Sequence, residues 1–256
     1  MGTEPPITFS SAGTTTAQAT DIRLKEIIDK LLLVLSEKEK FIIQNRFALK
    51  TNAKQTLEAI GKHYGVTRER IRQIEKNALK KLKRNAVNTQ LKVINEVGKN
   101  LIKKHGGLMV ETRLMKMMLG ALKNIKNEEV SELKLSLTLD PDLAKATNTL
   151  DYEPHWRMAN LGIDTLRRIA EMGYRILESK KDVMLLETFT AQVQGKLGES
   201  MGETTILSAM EIGKRTKLIK EGIGLKEWRH INPRTFRDKI NFILEREHKP
   251  LHFEEI

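Results

Sequence analysis

The chain of 256 residues contains no cysteine. Its absence excludes disulfide bonds, thiolate metal sites and cysteine catalysis, and it fits a reducing compartment. Apolar residues never run long enough to span a membrane, and the first residues lack the basic start and apolar stretch of a signal peptide. We therefore expect a cytoplasmic protein without a membrane partner.

Catalytic sequence signatures are also lacking. There is no glycine-rich phosphate loop, no nucleophile elbow and no acidic cluster at metal-binding spacing. His248 and His252 are four residues apart, but a turn is expected between them and no third ligand is apparent. We expect no enzymatic activity, no cofactor, no metal site and no small-molecule substrate.

Positive charge is concentrated in one part of the chain. The net charge is +12, and residues 36–84 hold 14 Lys and Arg against 5 Asp and Glu, whereas residues 85–212 hold 17 against 17. Residues 1–21 are rich in Thr, Ser, Ala, Gly and Pro, and we expect them to form a disordered leader. A basic segment favours nucleic acid as a partner when it coincides with a recognition helix.

The basic segment contains a pattern of two helices joined by a tight turn, TLEAIGKHYGVTRERIRQIEKNALKKL, at residues 56–82. Gly61 would let the helices approach closely, and Gly65 would permit a positive φ in the turn. Thr67 stands where an N-cap belongs, so the second helix should begin at Arg68. The apolar positions expected between the two helices are Leu57, Ile60, Tyr64, Val66, Ile71 and Ile74.

The exposed face of the second helix has the chemistry of a DNA-reading helix. Its first turn and a half carries the candidate base readers Arg68, Glu69, Arg72 and Gln73. Arginine can grip guanine O6 and N7, glutamate can accept from cytosine N4, and glutamine can pair with adenine. A basic tail suited to phosphates or to an acidic protein surface comprises Lys76, Lys80, Lys81, Lys83 and Arg84, and Arg70 is a further candidate phosphate contact.

This stretch resembles the fourth region of bacterial primary-type sigma factors, which reads the upstream promoter hexamer. VTRERIRQIE carries the resemblance, with TLEAIG before it and KNALKKL after it, and it extends back through LLLVLSEKEKFIIQNRFAL, residues 31–49. The resemblance implies base reading by Arg68, Glu69, Arg72 and Gln73, and phosphate contact by Lys62 and Thr67. It also implies RNA polymerase as a partner.

Two further expectations concern the segment before residue 56. Ser36 and Glu39 have the spacing of a capping box, and the apolar face of these helices would be lined by Leu35, Phe41, Ile42 and Phe47. Upstream of Leu31 we find no aromatic-rich region of the kind that melts promoter DNA in the family. We therefore expect that this chain does not initiate transcription alone.

Beyond Asn85 the sequence repeats itself. VINEVGKNLIKKHGGLMVETRLM, from Val93, aligns with RIAEMGYRILESKKDVMLLETFT, from Arg168, and more loosely with KINFILEREHKPLHFEEI, from Lys239. In this comparison Leu108–Glu111 is matched with Met184–Glu187, and the tryptophans Trp156 and Trp228 follow after similar intervals. The regular spacing indicates repeated domains.

We interpret each repeat as a winged helix, with a third helix at about residues 128–137 and 204–212 and a β-wing closing on the tryptophan strand. The expected wing turns are residues 140–141 and 151–154, Gly222 and Gly224. The tryptophans are expected in the core rather than as base-stacking platforms. Because residues 90–160 lack a basic recognition helix, we favour a structural or protein-contact role for them over DNA binding.

The sequence thus predicts a mainly α protein with tandem helix-turn-helix and winged-helix domains and small β-wings. The expected units are a leader at 1–21, a helix-turn-helix domain at 22–86, winged-helix units at 87–160 and 161–231, and an incomplete unit at 232–256 that resembles the beginning of a HARE-type winged helix. One hypothesis is a transcription protein that reads promoter-like double-stranded DNA in the major groove. The alternative is an RNA polymerase accessory protein that docks through residues 31–47, with DNA contact secondary.

Overall fold

The computed structural model describes residues 23–50, 53–122, 124–198, 201–220, 222–229 and 231–232, together with residues 235, 240 and 244. The leader and nearly all of the HARE-like tail, including His248 and His252, lie outside the described residues. Within the described part the chain is mainly α, as predicted, with ten α-helices, one 3-10 turn and five short strands. No described helix is long and apolar enough to cross a membrane.

Four helices build the basic N-terminal part: α1 (Leu24–Leu32), α2 (Glu37–Phe47), α3 (Leu57–Tyr64) and α4 (Arg68–Ala86). The predicted capping box at the start of α2 is confirmed. Ser36 accepts a hydrogen bond from the backbone N–H of Glu39, whose carboxylate accepts one from the backbone N–H of Ser36. This reciprocal pair fixes where α2 begins.

The first repeat spans residues 91–158. Its elements are α5 (Leu91–Lys104), β1 (Leu108–Val110), α6 (Glu111–Ala121), a 3-10 turn (Asn127–Glu129), α7 (Val130–Leu139), β2 (Leu143–Ala146) and β3 (His155–Met158). The three strands form an antiparallel sheet in the order β1-β3-β2. The third helix therefore begins and ends two residues later than the sequence pattern indicated.

The second repeat spans residues 163–225 and has the same order of three helices and two wing strands, without a strand among the described residues between the first two helices. It consists of α8 (Ile163–Lys180), α9 (Leu186–Leu197), α10 (Glu203–Ile212), β4 (Thr216–Ile219) and β5 (Gly222–Leu225). A single bridge between Met184 and Ile223 stands where β1 pairs with β3 in the first repeat.

Matching glycines confirm that the two repeats pack alike. A Cβ on Gly98 of α5 would lie 2.8 Å from Leu137 of α7, and a Cβ on Gly173 of α8 would lie 2.7 Å from Met210 of α10. The two glycines are 75 residues apart in the sequence. Both let the first helix of a repeat contact its third helix closely, which no other residue type would permit without a shift.

Strand pairing corrects the tryptophan alignment. The second helices of the repeats begin at Glu111 and Leu186, so Met184 corresponds to Met109 and not to Leu108 as the sequence comparison has it. Met109 pairs with Trp156, and Met184 bridges to Ile223, so the structural counterpart of Trp156 is Ile223. Trp156 is fully buried in β3 as predicted, but Trp228 lies after β5 has ended and is half-buried. The prediction that Trp228 stands on the wing strand is therefore wrong, because isoleucine fills that core position in the second repeat.

Gly224 is also not a wing turn. It lies within β5, where a Cβ would come 2.9 Å from the Ile231 side chain and 3.2 Å from the Trp228 ring. The missing side chain leaves room for the segment after β5 to fold back over the strand. Gly222, with φ of +148°, begins β5.

The third helix of each repeat is packed against neighbouring elements of the protein. Helix α7 packs against α1, α2 and α4 on one side and against α5 and β2 on the other, and α10 packs against β1 of the first repeat. The leucines of α7 that are almost fully buried in this way are Leu133, Leu135, Leu137 and Leu139. Neither helix presents the open face that a DNA-reading helix requires.

Side chains also join the two repeats directly. Ser208 donates its hydroxyl hydrogen bond to the carbonyl of His105 at 2.7 Å, and Arg113 forms an ion pair with Glu211 at 2.7 Å. The backbone of Thr205 comes so close to Gly106 that any Cβ there would overlap it. The repeats are therefore packed on one another rather than joined only by a linker.

One hydrophobic core crosses the predicted boundary at residue 86. It contains Leu24, Ile28 and Leu82 from the N-terminal helices together with Ile94 and Trp156 from the first repeat. Most of the apolar residues of α1 and of the second half of α4 belong to this shared core. The domain boundaries themselves stay a prediction.

Candidate nucleic-acid interface

The turn between α3 and α4 has the geometry that the sequence predicts. Gly65 adopts a φ of +63°, which favours glycine. A Cβ on Gly61 would lie 2.7 Å from the carbonyl oxygen of Val66, so the turn folds directly against α3. Thr67 caps α4 by accepting the backbone N–H of Arg70 at 3.2 Å, and α4 begins at Arg68 as predicted.

A small core sets the angle between the two helices. Ile42, Ile60 and Ile71 are fully buried against one another. The partly buried residues that surround them are Leu57, Tyr64, Val66 and Ile74, so every apolar position predicted between the helices packs there. Because this face of α4 points inward, the opposite face is held towards solvent.

All four candidate base readers lie on that outward face. Arg68, Glu69, Arg72 and Gln73 are exposed at the N-terminal end of α4. The structure thus brings them together on one surface, but whether they read bases stays a prediction.

Two of the candidates are paired with each other. Arg72 donates from Nε to Glu69 Oε2 at 2.8 Å and from Nη2 to Glu69 Oε1 at 2.7 Å. This hydrogen bonding lowers the pKa of the Glu69 carboxyl. Sequence reasoning missed the pair, although a spacing of three residues on a helix signals it. DNA would therefore compete with Glu69 for the Arg72 donors.

The candidate phosphate contacts are also exposed: Lys62, Thr67, Arg70, Lys76 and Lys80. Lys62 lies 3.3 Å from the Glu58 carboxylate, and Arg70 donates to Gln73 at a long 3.4 Å. The Thr67 hydroxyl already accepts one backbone N–H as the cap, which leaves its own hydrogen available to a phosphate oxygen. These roles remain predictions as well.

Lys81 departs from the expected basic tail. Its ammonium lies 2.8 and 2.9 Å from the two carboxylate oxygens of Glu39, in the capping box of α2. Burial acts in the opposite direction, but the hydrogen bonds from Lys81 and Ser36 hold the pKa of the Glu39 carboxyl below its usual value. Lys81 therefore ties α4 to α2 and is a poor candidate for phosphate binding.

Arg46 is a positioning residue that the sequence did not reveal. From the last turn of α2 it donates through Nε to Glu75 of α4 at 3.1 Å and through Nη1 to the carbonyl of Gln55 at 2.8 Å. It thereby connects the end of α2, the segment before α3 and the middle of α4. Its position near the end of a helix gave no signal of these distant partners.

An aromatic contact fixes α3 against α2. The rings of Phe41 and His63 stack with centroids 5.1 Å apart, and Tyr64 meets Phe41 edge-on at 5.4 Å.

Among the described residues, no three His, Asp or Glu side chains are grouped to hold a metal ion.

Comparison with known proteins agrees with this geometry. Residues 31–84 match the family model described as Sigma-70, region 4, so a helix-turn-helix domain of that family is present at these residues. The chain is 46% identical over 69 residues to RNA polymerase sigma factor SigA of a Bacillus species. It is 45% identical over 69 residues to the SigA proteins of Listeria monocytogenes and Listeria innocua.

The similarity covers a limited part of each protein. It includes 27% of this chain and spans 18% of the length of each of these relatives. It supports a role related to transcription. The match to the family model ends at residue 84, before the first repeat begins.

Proposed function

We propose that this protein is a DNA-binding transcription protein that reads promoter-like sequence in the major groove with α4. The observation that carries the proposal is the exposed N-terminal end of α4, capped by Thr67 and held outward by the core around Ile71. A recognition helix contacts base edges with its N-terminal residues. Arg68, Glu69, Arg72 and Gln73 are the proposed readers, and no catalytic step is required of the protein.

We also interpret both repeats as winged helices. The first repeat supports this interpretation by its order of helix, strand, two helices and two strands, with the first strand beside the last. The second repeat supports it by three helices and two strands, with the Met184–Ile223 bridge in place of the first strand. Because α7 and α10 are packed against neighbouring units, the repeats would serve as a scaffold rather than as two further base readers. This agrees with the absence of net charge in residues 85–212.

A second candidate function is docking on RNA polymerase, with DNA contact secondary. The similar proteins are named as RNA polymerase sigma factors. In the segment we expected to dock, Leu31, Leu35 and Ile42 are buried in the cores, so they are not available to a partner. The turn after α1 exposes Leu33 at 72% and Val34 at 49%, and these two side chains would make the apolar contact instead.

A binding-site selection from random duplexes with the full chain separates the two functions. Enrichment of a motif resembling the upstream promoter hexamer is the result expected for the first. The same selection with Arg72→Ala should lose the preference at one or two base pairs. Absence of any enriched motif, together with polymerase binding that Leu33→Ser and Val34→Ser abolish, would replace the first function by the second.

A further inference from the structure

Two ion pairs join α2 to the recognition helix α4. Near the start of α2, the two carboxylate oxygens of Glu39 lie 2.8 and 2.9 Å from the Lys81 ammonium. Near the end of α2, the Arg46 guanidinium donates through Nε to the Glu75 carboxylate at 3.1 Å. Glu39 precedes Arg46 in α2, and Glu75 precedes Lys81 in α4, so the two helices run antiparallel with one ion pair towards each end of α2.

The two pairs have opposite polarity. At the Glu39 end the acid belongs to α2 and the base to α4, whereas at the Arg46 end the base belongs to α2 and the acid to α4. An acid in the first turn and a base in the last turn also suit the dipole of α2. If the direction of α4 were reversed, like charges would meet at both ends, so the charges select the antiparallel arrangement.

The sequence of α4 offers no second register for both pairs. Residues one turn apart on a helix are three or four positions apart. The residues at these positions from Glu75 are Ile71, Arg72, Ala78 and Leu79. None of them is acidic, so a shift of α4 by one turn in either direction would leave Arg46 opposite a residue with which it cannot form an ion pair.

The acids of both pairs are shielded from solvent. Their side chains are only 16% exposed for Glu75 and 12% exposed for Glu39. A shielded carboxylate is costly to leave without a partner, so both pairs resist separation. The Arg46 guanidinium also bonds the carbonyl of Gln55 at 2.8 Å, directly before Thr56, the N-cap of α3. Both helices of the helix-turn-helix are therefore held in position relative to α2.

We propose that the Glu39–Lys81 and Arg46–Glu75 pairs form a register clamp that determines the base specificity of α4. This role rests on the function proposed above. The small core around Ile71 sets which face of α4 points inward, but hydrophobic contact is not directional and permits sliding along the helix axis. The clamp fixes the axial position of α4, and with it the base pairs that the readers at its N-terminal end reach. Its four members are positioning residues, not base readers.

The ratio of the affinity for the selected duplex to the affinity for a random duplex tests the clamp. Fluorescence anisotropy with the full chain measures this ratio. The double variant Glu75→Gln, Lys81→Met removes both pairs from the side of α4, and it leaves the capping box and the bond from Arg46 to Gln55 in place. We expect it to lower the ratio by about 10-fold, the scale of one good base contact. The net charge of the chain is unchanged in this variant, so binding to random DNA should change little.

The double variant Glu128→Gln, Lys30→Met is the matched control. It also removes one acid and one base, both exposed and both outside α2 and α4, and it should keep the wild-type ratio. Lys81→Arg should keep the ratio as well, because a guanidinium can still pair with Glu39. The single variants Lys81→Met and Glu39→Gln should have non-additive effects on the ratio, since they break the same ion pair. Unfolding temperatures identify any variant with a damaged fold, and Lys81→Met keeps the test decisive because its side chain is half exposed.

Three outcomes would overturn the clamp. The first is an unchanged ratio in Glu75→Gln, Lys81→Met, which includes an equal loss of affinity for both duplexes. The second is additivity of Lys81→Met and Glu39→Gln. The third is a decrease of about 0.9 in the salt slope of Lys81→Met, because Lys81 would then bind a phosphate in the complex instead of Glu39.

Failure of the clamp and failure of the proposed function give different results. A wild-type chain that binds the selected and random duplexes equally would remove the proposed function and the clamp with it. A wild-type preference that Arg72→Ala weakens and the clamp variants keep would remove the clamp alone.

Discussion

Replacing Arg72 by alanine gives the sharpest test of base reading. In the free protein, Nε and Nη2 of Arg72 both bond the Glu69 carboxylate, and each side chain is more than half exposed. A bidentate contact to guanine would take two guanidinium donors, so at least one of the Glu69 bonds must break or rearrange. The net free-energy preference for guanine is therefore the free energy gained from the contact with the base minus the free energy lost when the Arg72–Glu69 pair breaks.

The expected magnitude follows from that exchange. A good bidentate pair distinguishes the correct base from others by roughly 5- to 150-fold. Because Arg72 must give up an existing partner, we expect Arg72→Ala to reduce affinity for the selected site by a factor in the lower half of that range. On random DNA it should remove at most one phosphate-like contact, a slope change of about 0.9.

Fluorescence anisotropy with the selected duplex, a single-base variant and a random duplex measures both effects. Lys76→Ala is the matched control, since it removes a charge from the next turn of α4 and should weaken all three duplexes equally. Glu69→Gln should increase affinity for random DNA, because it removes a negative charge and frees Arg72. The assignment is refuted if Arg72→Ala and Lys76→Ala lower binding to the three duplexes by the same factors.

Three further results are expected. Thr67→Ala, which removes the cap of α4, should lower the free energy of unfolding by about 0.5–2 kcal/mol in urea denaturation, while Thr67→Ser should not. Burial lowers the pKa of His155, so the unfolded chain takes up a proton that the folded protein does not. The free energy of unfolding should therefore fall as the pH drops below about 6.5. His155→Gln should reduce this dependence on pH, and an unchanged pH profile in that variant would contradict the prediction. Gly106→Ala should separate the two repeats, seen as faster amide exchange in α10, whereas Gly195→Ala, in open space, should not.

Local physics made the helix-turn-helix predictable from the sequence. The cap at Thr67, the positive φ at Gly65 and the capping box at Ser36 each depend on residues within three positions of one another. The inward face of α4 follows from the spacing of Ile71 and Ile74 in the same way. Such contacts are contained in the sequence itself, so they could be predicted without the fold.

Long-range contacts were not predictable on the same basis. The sequence assigns Lys81 to a basic tail, because its partner, Glu39, lies 42 residues away and is not evident without the fold. The burial of α7 had a signal, since leucines at every second position from Leu133 to Leu139 cover most of a helix surface rather than one stripe. That pattern indicates contacts on several sides, yet it does not name α1, α2 and α4 as the partners.

The two repeats differ at the position where a neighbouring unit docks. Gly106 in the first repeat has a φ of +76° and lies against the backbone of Thr205, and its counterpart 75 residues later is Lys181, also left-handed at +60°. The same turn is therefore kept in the second repeat, but Lys181 carries a Cβ where the first repeat needs none. A helix cannot approach the second repeat as α10 approaches Gly106. Leu185, the counterpart of Val110, remains 67% exposed near this turn. The surface of the first repeat that binds α10 is therefore not reproduced in the second repeat.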